Sequence, residues 1–72
     1  MKKVIEFDYL LYSEEAIRQA ILIFEEIATI RLTVQTDAFV CSITKSKYDL
    51  QLTCLEFANT VLELSITMDG TK

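Results

Sequence analysis

The sequence predicts an α+β fold: a two-layer sandwich in the order β-α-β-β-α, with a three-stranded sheet covered on one face by two helices. Two observations carry that expectation. Apolar residues alternate at period two near the start, change to spacings of three and four, return to period two for two consecutive segments, and end on a second helical stretch. No linker, repeat or low-complexity segment interrupts this order, so residues 1–72 read as one domain.

The first strand covers Lys2 to Asp8, with Ile5 and Phe7 on one face and Val4 and Glu6 on the other. Ser13 then stands as an N-cap before Glu14 and Glu15, whose charges favour the positive end of a helix. Ala16, Ile17, Ala20, Ile21, Phe24, Ile27 and Ala28 recur at helical spacing, with Glu14, Arg18, Glu25 and Glu26 opposite, so the helix is expected from about Ser13 to Ala28. From Thr29 to Gln35 the period is two: Ile30, Leu32 and Val34 face one way, and Arg31, Thr33 and Gln35 the other. Thr36-Asp37 makes a short turn. Phe39, Cys41 and Ile43 then alternate with Val40, Ser42 and Thr44 in a third strand that pairs with the second as a hairpin. Lys45-Ser46-Lys47 reads as a polar connection, and a second helix is expected from about Asp49 to near Gly70, although Leu64 to Met68 would also suit a short strand.

If the third strand lies between the other two, all neighbours are antiparallel and the first crossover stays right-handed, as in a ferredoxin-like fold without its last strand. This 1-3-2 order is preferred to one with the second strand in the centre. It leaves Val4, Glu6, Arg31, Thr33, Gln35, Val40, Ser42 and Thr44 on an open face.

Composition excludes more than it names. With no histidine, no proline and a single glycine, the chain lacks the usual general base near pH 7 and the residue that lets backbone approach a phosphate. At this length one core supplies only about 3–5 kcal/mol of net stability, and small domains find further support in disulfides, metals or association. Two cysteines make no disulfide framework, and a metal site without histidine would need unusual ligands, so neither metal nor cofactor is expected. Self-association is the remaining route, in keeping with a hydrophobic fraction of 51% and a mean hydropathy of +0.30. Glu6 and Asp8 interrupt the stretch after Met1-Lys2-Lys3, which argues against a secretory signal and for a cytoplasmic protein. Ile21 to Phe24 is far shorter than the roughly 20 residues of a membrane span, and a net charge of −4 disfavours a duplex nucleic-acid binder.

Cys41 and Cys54 fall on core faces and are read as packing residues. Glu14-Glu15 and Glu25-Glu26 are read as a solvated helix surface. Lys2, Lys3, Lys45 and Lys47 come to one end of the sheet, either as a small basic patch or as solubilising loop lysines. Leu22 projects among Arg18, Gln19, Glu25 and Glu26, where a monomer would place a polar residue. On the second helix Leu55, Leu62 and Ile66 form a stripe at the margin of the core face of Leu50, Cys54, Ala58, Val61 and Ser65. Either the first helix covers that stripe or another chain does.

Tyr12-Ser13-Glu14-Glu15-Ala16-Ile17, followed by Ala20 and Phe24, resembles the opening helix of the small D component, HxsD, of bacterial His-Xaa-Ser peptide-maturation systems. Glu56-Phe57-Ala58-Asn59-Thr60-Val61-Leu62 is similar to the same family's Phe-x-Asn-x-x-Leu segment. The resemblance implies an accessory protein encoded beside radical S-adenosylmethionine maturases that modify a His-Xaa-Ser repeat peptide, with the partner as the enzyme. Two distant cysteines cannot supply the three-cysteine cluster motif of such maturases.

The expected function is therefore a non-enzymatic accessory or adaptor that binds a maturase, its precursor peptide or another copy of itself. The competing reading is a small enzyme or ligand-binding domain whose site is assembled between subunits, and a weaker one is a nucleic-acid binder using the lysine end. The candidate partner-binding residues are Leu22, Arg31, Thr33, Gln35, Leu55, Leu62 and Ile66. Arg31, Thr33 and Gln35 belong to the edge formed by the second strand, where an extended peptide could add.

Overall fold

The computed structural model describes residues 2–70, and the side-chain surroundings of residues 2–67. Its elements run β1 (Lys3–Asp8), α1 (Glu14–Ile23), β2 (Ala28–Val34), β3 (Ala38–Ser46) and α2 (Leu50–Gly70). The sheet order is β1-β3-β2 with both pairings antiparallel, so the preferred order holds and the arrangement with the second strand in the centre is ruled out. The inward faces of the strands contribute Phe7, Phe39, Cys41 and Ile43 to one buried cluster with Ile17, Ala20, Phe24, Phe57 and Val61 of the helical layer.

The N-terminus of α1 is set as expected. Ser13 has extended backbone and its Oγ accepts the Ala16 N–H at 3.3 Å, while Glu14 and Glu15 occupy the first turn. The C-terminus comes earlier than the periodicity suggests. The helix stops at Ile23 with Phe24 as its cap, and residues 24–27 tighten into turns in which the Phe24 carbonyl accepts from both Ile27 and Ala28. Glu25 and Glu26 fall at the negative end of the helix dipole with no basic residue in the last turn to offset them, which favours termination there. Ala28 consequently opens β2 and remains buried as a strand residue.

The hairpin closes with the Gln35 N–H donating to the Ala38 carbonyl at 2.8 Å, around Thr36-Asp37 and without positive φ at any described non-glycine residue. Gln35 therefore belongs to the turn and not to the strand. At the far end of the hairpin the register slips: Ile30 faces Ile43 but Thr29 faces Lys45, so Thr44 has no opposite number on β2. The bulge extends β3 through Ser46, where the sequence suggests a polar connection. Strict alternation after Cys41 and Ile43 would turn Lys45 into the core. The extra residue leaves Thr44 and Lys45 exposed and turns Ser46 inward, where its hydroxyl meets that of the buried Thr53 at 2.7 Å.

Asp49 begins α2: its carbonyl accepts the Thr53 N–H and its Oδ2 accepts that of Leu52 at 3.0 Å. The helix then continues unbroken through 64–68, so the strand alternative for that stretch is excluded. It packs along α1 and across β1 and β3. Phe57 is fully buried between the ring of Phe7 at 6.1 Å and that of Phe24 at 5.6 Å, both edge-to-face. Phe57→Ala is expected to cost about 3–5 kcal/mol, as much as a core of this size supplies in total, so urea titration by circular dichroism should find the variant largely unfolded at 25 °C. Leu22→Ala, at an exposed site, should stay within about 0.5 kcal/mol of the parent.

Candidate functional site

The sheet ends in two free edges. On β2 the Gln35–Ala38 bond fixes the phase of the antiparallel ladder, so Thr33 and Arg31 pair with Val40 and Ser42 through hydrogen bonds. The N–H and C=O groups of Ile30, Leu32 and Val34 then point away from β3, along the edge. Arg31 and Thr33 stand exposed on the face that neither helix covers, beside Ser42 and Val40. Gln35 lies past the end of this edge, its amide already bonded within the turn. Arg31 is the sole charge on β2.

On β1 the same reasoning starts from the Tyr9 N–H, which donates to the Asp37 carbonyl at 3.2 Å. Phe7 and Ile5 thus pair with Phe39 and Cys41, and the outward groups belong to Val4 and Glu6. Val4 and Glu6 also carry exposed side chains on the open face. Lys2 and Lys3 guard the start of this edge.

Leu55, Leu62 and Ile66 fall within about 40° of one another around α2, and about 120° from the buried Val61. They are 58%, 45% and 63% exposed, so α1 does not cover the stripe. The other flank of α2 faces α1, where Phe24, Glu56, Asn59, Thr60 and Glu63 line a polar groove of about 260 Å³. Cys54 lies near the start of β1, close enough to Lys3 for the ammonium to act on its thiol. Because α2 packs on β1 and β3, the stripe, on the flank of α2 away from α1, lies towards the β1 side. Leu22 is 67% exposed on α1, on the far side of the polar groove, and is not brought together with the stripe.

Sequence reasoning passed over a second apolar region, Tyr9-Leu10-Leu11, in the connection from β1 to α1. Asp8 shapes it, its Oδ1 accepting the Leu10 N–H at 2.7 Å and its carbonyl accepting from Leu11 and Tyr12. Leu10 is 87% exposed. The signal was present as three large residues between an Asx turn and an N-cap, outside either periodicity.

The lysines do reach one end of the sheet, yet Lys45 and Lys47 line their cleft with Glu25 and Glu26, which offsets the positive field. Beside it Phe24, Ile27, Tyr48, Leu52, Thr53 and Glu56 form a mainly apolar groove of about 270 Å³. Among the described residues, no helix is long and apolar enough to cross a membrane, and no three metal-ligating side chains converge.

Comparison of the chain with protein-family models, with curated proteins and with solved structures gave no match.

Both cysteines are free thiols. Burial pushes Cys41 up to about 11, and burial also raises Cys54, with Lys3 pulling the other way. A thiol shifted in this direction is a poor nucleophile at neutral pH. Because the unfolded chain surrenders the Cys41 proton from pH 9.0 and the folded chain only near 11, stability falls across that window. A shift of this size corresponds to about 2–3 kcal/mol. Cys41→Ala should lose stability at pH 7 through its small cavity but decline less steeply between pH 9 and 11. Denaturant titrations across that range measure the difference, and parallel slopes for the two proteins would contradict a desolvated thiol.

Proposed function

We propose that the chain is a non-enzymatic accessory or adaptor protein of a peptide-modification system, and that an extended peptide docks by adding a strand to β2. The observation that carries the reading is the row of outward backbone groups at Ile30, Leu32 and Val34, on an edge with one charge and no proline. Main-chain hydrogen bonds would give affinity with little dependence on sequence, as a repeat-bearing precursor requires. Arg31 and Thr33 would touch alternate side chains of the added strand on the open face. The resemblance of the Tyr12–Phe24 and Glu56–Leu62 segments to HxsD proteins supports a place beside a radical S-adenosylmethionine maturase, which would be the second partner. A composition without histidine and with thiols raised by burial supports a binding role over a catalytic one.

The test is titration of isotope-labelled protein with a synthetic His-Xaa-Ser repeat peptide. Amide shifts should centre on Ile30, Leu32 and Val34. Val34→Pro removes an outward N–H from an exposed edge position, where proline is tolerated, and should weaken binding while the fold persists. Shifts confined to the helices, with β2 silent, would remove the strand-addition model.

A further inference from the structure

The β1 edge carries a pattern that the β2 edge lacks. Residues 2–8 read Lys-Lys-Val-Ile-Glu-Phe-Asp, and when this segment is laid antiparallel to itself about Ile5, Lys2 falls opposite Asp8, Lys3 opposite Phe7 and Val4 opposite Glu6. No like charges meet, and an acid–base pair forms at each end. We infer that β1 is a contact between two copies of this chain, related by a two-fold axis through Ile5, which joins their sheets into one of six strands.

Three features fit this occupant. The outward backbone groups at Val4 and Glu6 are the ones that this register pairs, Val4 of one copy with Glu6 of the other. A shift by two residues in one direction would set Glu6 against Glu6, and in the other would shorten the ladder, so charge and length select the same alignment. Finally, the stripe lies on the flank of α2 away from α1, on the β1 side. Lys3 acts on the Cys54 thiol and the Phe7 ring meets that of Phe57, so Ile5 lies alongside the N-terminal half of α2, and the two-fold axis sets the α2 helices of the two copies side by side and antiparallel. A sheet ladder and an apolar helix contact then close together. Lys2 and Lys3 deter a foreign strand, but Asp8 of a second copy answers Lys2.

The inference rests on the β1 edge and stands apart from peptide binding at β2, since sedimentation without peptide tests one and titration with peptide tests the other. Full-length protein should sediment as a dimer at micromolar concentration. Val4 is half exposed, so both its polar variants should keep the fold, as circular dichroism can verify. Val4→Lys faces Glu6 of the second copy and should tighten the dimer about tenfold; Val4→Glu faces the same residue and should loosen it by a similar factor. Leu62→Glu should also loosen it, and Arg31→Glu, on the opposite edge, should leave it unchanged. A monomer at several hundred micromolar, equal effects of the two Val4 variants, or dissociation by Arg31→Glu in place of Val4→Glu would each overturn the proposal.

Discussion

Phe57 meets Phe7 on the sheet and Phe24 at the end of α1, so one ring joins the three parts that must come together. Neither pair of elements could bury it alone: α1 offers a short face of Ala16, Ile17 and Ala20, and three strands leave their inner surface open to water without a cover. The small residues on α1 matter here. They let the helix approach closely while the aromatic side chains fill the space beneath, which concentrates apolar burial in a few rings. Two polar contacts then fix the rotation of α2 about its axis. Thr53 bonds Ser46 near its start, and the Ser65 hydroxyl accepts the Ser13 N–H at 3.4 Å near the N-terminus of α1. With both points held, Leu55, Leu62 and Ile66 are turned outward.

The first of those contacts depends on the bulge at Thr44. A β-strand changes faces at every residue, so an uninterrupted β3 would have carried its inward phase from Ile43 onto Lys45 and buried an ammonium group under the helices. One unpaired residue reverses the phase. It also places both Lys45 and Lys47 on the solvent side, beside Glu25 and Glu26, and frees the Lys47 N–H to hold the Ile27 carbonyl at 2.9 Å. A single irregularity thus decides which polar groups enter the core and which define the acidic and basic cleft.

Much of this arrangement was legible in the residues themselves. Alternation identified the inward faces of all three strands, Ser13 marked the start of α1, and right-handed crossover with antiparallel neighbours selected the sheet order. The errors lie where a competing interaction overrode periodicity. Ile27 and Ala28 keep helical spacing, yet the carboxylates of Glu25 and Glu26 at the helix terminus and the demands of the sheet claim them for turn and strand. Ser46 read as loop because a bulge cannot be seen in a pattern that simply appears to end. Gln35 continued the alternation but its amide was committed to the turn. Among the candidate surfaces, the α2 stripe could be placed on the helix from spacing, whereas its exposure depended on how α2 rolls against α1 and the sheet, which no spacing encodes.

The two edges are unequal for a reason that follows from what covers them. On the β1 side α2 packs on β1 and β3 and leaves Leu55, Leu62 and Ile66 exposed to solvent. A second copy of β1, as proposed, would set Asp8 against the lysine end of this segment. On the β2 side the open face presents Thr29, Arg31 and Thr33, with Val34 half exposed on the other face. Under the proposed strand addition, main-chain bonds at this edge would accept a peptide of varied sequence. The proposed second copy at β1 and the proposed peptide at β2 thus meet different flanking surfaces, because α2 packs chiefly on β1 and β3.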